Sequence, residues 1–146
     1  MRRSVLNISV VLLLALACSK ATPQKSGYNP KPGYDATVQD VSILQLIANP
    51  QAYDGNRVRF IGFLRIEFEG DAIYLHREDF EYAITQNAVW IDIPREMTKQ
   101  EKQLVNMQYV VCAGLFQGSK HGHMGMFSGE VTDVIRLETW GKRRSK

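Results

Sequence analysis

The feature that most constrains the fold is an alternating stretch in the middle of the chain, RVRFIGFLRIEF, at residues 57–68. Apolar residues and Gly62 take every second position, and arginine or glutamate takes several positions between them. A period of two is typical of a β-strand with one buried face. A glycine inside such a strand indicates a bend or a bulge. The stretch therefore predicts one long, half-buried strand that bends near its centre.

Four further apolar runs predict four more strands, and two segments predict short helices. The strands are AIYLH (72–76), AVWIDI (88–93), QYVVCAGLF (108–116) and EVTDVIRLET (130–139). The first helix precedes the long strand; Asp40 is its expected cap, and Asn49-Pro50 ends it. The second helix lies between the third and fourth strands, in TKQEKQLV (98–105), where Thr98 and Glu101 have the spacing of a capping box.

The order of these elements favours a mainly β fold, a five-stranded OB-like barrel with a short N-terminal helix and a helix between strands 3 and 4. In an OB barrel the first strand bends to serve both halves of the sheet. An immunoglobulin-type sandwich fits less well, because it needs about seven strands and no helix.

The N-terminus, MRRSVLNISVVLLLALAC, is typical of a secretory signal at residues 1–17. Its apolar run is shorter than the roughly 20 residues that span a bilayer. Ala15-Leu16-Ala17 followed by Cys18 resembles a bacterial lipobox, and it also fits ordinary signal peptidase. We expect a lipidated Cys18 that anchors the chain to the periplasmic side of the outer membrane; the alternative is a soluble periplasmic or secreted protein.

Residues 18–38 then form a flexible tether rich in proline and glycine, 39–141 form the folded body, and 142–146 form a basic tail. Cys112 lies in an apolar strand, where core packing is its expected role. A disulfide between Cys18 and Cys112 is possible only if Cys18 is not lipidated.

The folded body is acidic, although the whole chain carries a formal charge of +3. Residues 39–141 contain nine Arg and Lys against fourteen Asp and Glu, a charge of about −5 with neutral histidine. An acidic body is a poor partner for phosphate backbones, so no nucleic acid is expected. The basic tail is predicted to be a solvated end, and contact with anionic lipid headgroups is the alternative.

Four segments, NPQAYDGNRVRFIGFL, YLHRED, NAVWIDI and GHMGMFSG, resemble motifs of a family of small, uncharacterised bacterial OB-fold proteins. Many members of this family are exported or lipid-anchored, and the resemblance covers roughly residues 41–138. It implies an OB fold and the cell envelope. The resemblance assigns no catalytic residue to this chain.

The segment GSKHGHMGMFSG, residues 118–129, contains the most conspicuous candidate site. On an extended backbone His121 and His123 would share one side, and Met124 and Met126 the other. Imidazole and thioether ligands suit Cu(I). Two other interpretations are a glycine-rich turn whose apolar residues close the barrel, and a site for an organic or protein ligand.

Three further residues are ligand-binding candidates. His76 would join His121 and His123 at one ion if its strand end lies near the loop; alternatively it pairs with Glu78 or Asp79. Trp90 and Asp92 share the face of the third strand that is exposed to solvent and borders the usual OB ligand surface. Trp90 could equally cover the mouth of the barrel.

The sequence carries no nucleophile elbow and no phosphate-binding glycine loop, so we expect a non-enzymatic protein without a cofactor. The leading hypothesis is an envelope-anchored OB module that binds a protein or a small ligand. The alternatives are a periplasmic Cu(I) binder that uses the loop and, less favoured because of the acidic body, a nucleic-acid-binding OB domain.

Overall fold

A computed structural model describes residues 37–141 of the chain. The predicted signal, Cys18, the tether up to residue 36 and the basic tail lie outside these residues. The strands are β1 (Gln39–Asp40), β2 (Arg57–Arg65), β3 (Ala72–Tyr74), β4 (Ala88–Ile91), β5 (Gln108–Gln117) and β6 (Glu130–Thr139). The α-helices are α1 (Ile43–Ala48), α2 (Pro50–Tyr53), α3 (Arg77–Glu81) and α4 (Lys99–Val105). Short 3-10 turns occur at Thr85–Asn87 and His123–Gly125.

Five of the strands close into a barrel, which confirms the predicted OB-like fold. The strand order is β2-β3-β4-β6-β5, and a further pairing of β5 with β2 completes the circle. The pairs are antiparallel except for β4 with β6, which run parallel, and β1 adds a short parallel strand beside β2. Helix α4 connects β4 to β5, as the sequence predicts.

Strand β2 holds the two halves of the barrel together. Residues 57–64 pair with β5, and residues 63–65 pair with β3 on the other edge. Of the two alternatives at Gly62, a bend or a bulge, the bulge is not present, because the pairing with β5 passes through this residue without a register shift. Gly62 is instead a point of close approach: a Cβ there would overlap the Cγ2 of Ile73 and lie 2.7 Å from the carbonyl oxygen of Tyr74. The register shift occurs in β5, around Gly114.

The barrel encloses one main apolar core. Val58, Phe60 and Leu64 of β2 point into it, which agrees with the alternation in the sequence. Cys112 is fully buried in the same core, where burial raises the pKa of its thiol and disfavours the reactive thiolate. Each large side chain buried here contributes roughly 1.5–3 kcal/mol to folding.

The helices close the open parts of the barrel. Helix α1 buries Ile43 and Leu46 in the core, and α4 buries Val105. The cap of α1 is Ser42 and not Asp40: the Ser42 hydroxyl accepts from the Gln45 N–H, and Gln45 Oε1 accepts from the Ser42 N–H at 2.8 Å. The predicted capping box of α4 is confirmed: the Thr98 hydroxyl accepts from the Glu101 N–H, and the Glu101 carboxylate accepts from the Thr98 N–H.

The structure also contains elements that the sequence did not predict. Strand β2 ends at Arg65, so residues 66–68 belong to the loop before β3. Helix α1 ends at Ala48 with Asn49 as its C-cap, and Pro50 begins α2; α2, β1 and α3 were not predicted. Among residues 37–141, no helix is long and apolar enough to cross a membrane.

The close approach at Gly62 predicts that alanine destabilises the protein more at this position than at Gly70. Gly62→Ala should cost about 1–3 kcal/mol of unfolding free energy, because the new methyl meets the backbone of β3. The matched control is Gly70→Ala, whose Cβ meets only the flexible side chain of Glu67. Urea unfolding of both variants measures the difference. Equal losses of unfolding free energy would show that the close pairing of β2 with β3 does not depend on glycine.

Candidate functional site

The outer face of β2, β3 and β4, which includes the usual OB ligand surface, is covered by the protein's own side chains. We call this set the outer-face cluster: it is a second apolar group, separate from the barrel core, and consists of Phe63, Ala72, Tyr74, Ala88 and Phe127, with Phe80, Trp90 and Met107 packed against it. Burial raises the pKa of the Tyr74 hydroxyl. The face is therefore occupied by internal packing.

Helix α3 covers one end of the outer-face cluster. The ring of Phe80 lies edge-on to Tyr74, with centroids 5.6 Å apart. The guanidinium of Arg65 lies 5.4 Å from the centre of the Phe80 ring, and that of Arg77 lies 5.6 Å from the centre of Phe63. Such cation–π contacts stabilise aromatic groups near solvent. This side of the sheet is thus closed by aromatic rings and two cations.

The loop 118–129 covers the other end of the cluster. The backbone of Gly122 lies so close to Trp90 that a Cβ there would be 2.6 Å from the Cβ of Trp90. His123 stacks on the Trp90 indole with centroids 6.4 Å apart, and Phe127 meets it edge-on at 5.4 Å. Trp90 is consequently half-buried beneath the loop and not a free binding surface.

The loop does not adopt the extended backbone on which the predicted grouping of its side chains depended. A 3-10 turn at His123–Gly125 replaces it, and Met124 has a left-handed backbone with φ of 54°. The Nδ1 of His121 lies 2.9 Å from the carbonyl oxygen of Phe127, which ties the ring to the loop itself. Met124 and Met126 are exposed. The predicted arrangement, with His121 and His123 on one side of an extended backbone and Met124 and Met126 on the other, is therefore not present.

No shared ion site for the three histidines is found in the part of the chain that the structure describes. Residues 37–141 contain no group of three or more His, Cys, Asp and Glu side chains placed to hold a metal ion. His123 Nε2 instead faces Glu69 Oε2 at 3.8 Å, which connects the loop 118–129 to the loop between β2 and β3. His76 lies at the start of α3, where its N–H donates to Asp79 Oδ2 at 2.8 Å. This bond is made by the backbone of His76, and the pairing of its imidazole with Glu78 or Asp79 stays a prediction.

Asp92 lies just beyond the end of β4 and is exposed, as predicted. Its N–H donates to the carbonyl of Val131 at 2.9 Å, so its backbone extends the parallel pairing with β6. Of the predicted candidates, Trp90 and His123 are in contact, and His121 packs beside them through Phe127. His76 and Asp92 belong to other parts of the surface.

A second concave surface, whose lining includes the predicted candidate His76, lies between the start of α1 and the outer face of β2 and β5. We call it the α1–β5 groove; its volume is about 740 Å³. It is lined by Asp40, Val41, Ser42, Ile43, Gln45, Arg59, Phe60, Ile61, Leu75, His76, Tyr109, Val111, Arg136 and Trp140. Most of this lining is apolar, and the polar groups lie at its margin.

Two ion pairs border the groove. Arg59 binds Asp40 through two hydrogen bonds of 2.5 and 2.6 Å, and Arg136 binds Glu138 at 3.0 Å. The hydrogen bonds from Arg59 lower the pKa of the Asp40 carboxyl, so it stays ionised at pH values below its ordinary pKa. The guanidinium groups are held in fixed positions beside the apolar floor.

Three large apolar side chains remain exposed in the groove. Ile61 and Tyr109 are each 39 % exposed, and Trp140 is 56 % exposed. The Trp140 N–H donates to the Tyr109 carbonyl at 2.6 Å, which fixes its backbone beside β5. One residue in the sequence indicates this surface. Ile61 is apolar, although it occupies one of the alternate positions of β2 that Arg57, Arg59 and Arg65 share.

No protein-family model matches this chain, and no curated protein sequence matches it significantly. The candidate surfaces are therefore identified by their geometry and chemistry. They are the covered face around Trp90 and the open α1–β5 groove.

The contact between the loop and Trp90 predicts that alanine lowers the unfolding free energy more at Gly122 than at Gly125. Gly122 has φ of 58° and ψ of −155°, which only glycine adopts readily, and its added Cβ would overlap Trp90. Gly122→Ala should cost roughly 3 kcal/mol or more, from backbone strain and overpacking together. Gly125 also has a positive φ but faces open space, so Gly125→Ala should cost about 1 kcal/mol.

Urea unfolding provides the two free energies, and the near-ultraviolet circular dichroism of Trp90 reports whether the loop has moved. Equal costs, with the dichroism of Trp90 unchanged in Gly122→Ala, would contradict close packing of the loop on the indole.

Proposed function

We propose that this chain is an envelope-anchored, non-enzymatic binding module whose ligand site is the α1–β5 groove. The observation that supports the proposal most strongly is that one surface is covered and the other is open. The usual OB ligand face is filled by the outer-face cluster, while the groove leaves three large apolar side chains exposed. Exposed apolar surface with a polar rim is typical of an interaction site.

The size and lining of the groove support a binding role. Its volume of about 740 Å³ falls within the roughly 300–1,000 Å³ of ligand pockets. Apolar floors with a few fixed polar groups at the margin are common in such sites, because the polar groups orient the ligand. Arg59 and Arg136 hold these marginal positions, and an envelope protein or a small ligand fits this chemistry.

The state of the charged groups supports a role without catalysis. A general base must be able to take up a proton near neutral pH. The carboxyl of Asp40, held by Arg59, has a lowered pKa and is a poor proton acceptor.

The N-terminal sequence supports the proposed compartment. The signal at residues 1–17 and the lipobox-like Ala15-Leu16-Ala17-Cys18 support export and lipidation in a bacterial envelope, as does the resemblance to exported OB-like proteins. Fatty-acid labelling that disappears in Cys18→Ser tests this part of the proposal.

Photo-crosslinking tests the groove. A benzophenone amino acid at Tyr109, in the groove, should give adducts in intact cells because its ligand lies within reach. The matched control places the same group at Leu104, which is 71 % exposed on α4 but lies outside the groove. Adducts at equal yield from both positions, or none from Tyr109, would reject the groove as the binding site.

A further inference from the structure

We infer that the α1–β5 groove binds a single-chain amphiphile, with a carboxylate head near Arg136 and an apolar chain that lies toward Trp140. This inference rests on the proposed function and deepens it, because it names the chemical class of the small ligand in the same groove. Two observations support it: the order of the side chains along the groove, and the hydrogen-bonding groups that remain open at its margin.

The groove changes from charged to apolar along the strands that line it. Ile61 of β2 pairs with Val111 of β5, and both side chains line the groove as its apolar floor. Arg136 of β6 and Trp140 just after β6 also line it, four positions apart. Four residues of extended chain span about 13 Å. The groove therefore has a guanidinium at one end and an indole at the other, with aliphatic side chains between them.

The polar side chains that remain open in the groove are hydrogen-bond donors. Both carboxylate oxygens of Asp40 accept from Arg59. Oε1 of Gln45 accepts from Ser42, whereas Nε2 of Gln45 makes no hydrogen bond within residues 37–141. An ammonium head would therefore find no open carboxylate oxygen among the described side chains that line the groove. A carboxylate head matches this margin because it only accepts hydrogen bonds.

Arg136 carries the strongest of these open donors. Its Nε and Nη2 both donate to Oε2 of Glu138, at 3.2 and 3.0 Å, and its side chain is 36 % exposed. A guanidinium has more N–H groups than these bonds use, and Nη1 makes no hydrogen bond in the part of the chain that the structure describes. Hydrogen bonds between a guanidinium and a carboxylate are stronger than neutral ones. Arg136 can therefore hold a second carboxylate while it still holds Glu138.

A second guanidinium lies at the same end of the groove. Arg59 of β2 and Arg136 of β6 both pair with Ala113 of β5, so their side chains start from one row across three strands. The two cations offset the nearby carboxylates of Asp40 and Glu138, in a body that carries about −5 as a whole. This end of the groove therefore suits an anionic head, and the apolar floor suits the chain.

Dodecanoate tests the ligand class, and two compounds with the same chain but a different head are its controls. Dodecanol has an uncharged head, and dodecylammonium has a cationic one. The protein is produced from its full sequence with Cys18→Ser, so that neither a lipid anchor nor detergent competes for the groove. Isothermal titration calorimetry, at ligand concentrations below those that form micelles, measures the three affinities.

We expect saturable binding of dodecanoate, and affinities about tenfold lower or less for dodecanol and dodecylammonium, because only the carboxylate bonds the open donors. Arg136→Gln should weaken dodecanoate binding about tenfold, since it removes a hydrogen bond between charged groups. The matched control is Arg57→Gln. Arg57 also pairs with a carboxylate, that of Asp133, and is 34 % exposed, but it lies outside the groove lining. This variant should bind dodecanoate as the parent protein does.

Bromine at the end of the chain tests the orientation, because it quenches tryptophan fluorescence on contact. Terminally brominated dodecanoate should quench Trp140, which Trp90→Phe reports. It should not quench Trp90, which Trp140→Phe reports, because the loop 118–129 covers that ring. If Trp90→Phe does not fold, the difference between the parent protein and Trp140→Phe gives the emission of Trp140. If Arg136→Gln does not fold, the comparison of the three heads on the parent protein decides.

Equal affinities for the three heads, or equal dodecanoate binding by Arg136→Gln and the parent protein, would overturn the inference. Quenching of Trp90 in place of Trp140 would do the same. Groove crosslinks in cells to a protein, without dodecanoate binding, would overturn it and leave the proposed binding role intact. Absence of both signals would reject the two proposals together.

Discussion

The pairing of β2 with strands on both of its edges is the constraint on which the rest of the structure depends. One nine-residue strand joins β5 along most of its length and β3 at its end. Gly62 permits this because β2 and β3 approach too closely there for a side chain. The closed barrel, its core and the positions of both candidate surfaces follow from this pairing of β2 on both edges.

The two surfaces differ because of what packs on each side of β2. Where β2 meets β3, the outer side is covered by α3 and the loop 118–129, and the outer-face cluster becomes a second core. Where β2 meets β5, the outer side is bordered by β1, α1, residues 75–76 and Trp140 after β6. Burial of aromatic groups thus stabilises one face, and the other remains open as a groove.

The sequence predicted the barrel well because local patterns specify it. Alternation in β2 and the capping box at Thr98 and Glu101 depend on neighbouring residues. The capping box is confirmed. The alternation holds at Val58, Phe60 and Leu64, while Phe63 in the opposite phase is buried as well and Phe68 beyond the strand is exposed. The cap of α1 was misplaced by two residues, because Asp40 and Ser42 are both good capping residues and only the pairing of Asp40 beside Arg59 decides between them.

The candidate sites were harder to predict, since they depend on contacts between distant segments. Trp90 alternates with Val89 and Ile91 as an exposed strand residue would, yet a loop more than thirty positions later in the chain covers it. The groove combines α1, β2, β5 and the residue Trp140. No local pattern indicates such a combination, although Ile61 in the polar phase of β2 was a partial signal.

Side-chain accessibility in solution tests the central claim most directly, namely that the usual OB face is filled and the α1–β5 groove is open. Nuclear magnetic resonance with a soluble paramagnetic probe measures it residue by residue. The structure predicts strong relaxation enhancement at Ile61, Tyr109 and Trp140, and weak enhancement at Phe63 and Tyr74. Strong enhancement at Phe63 and Tyr74, with protection of the groove residues, would contradict the account.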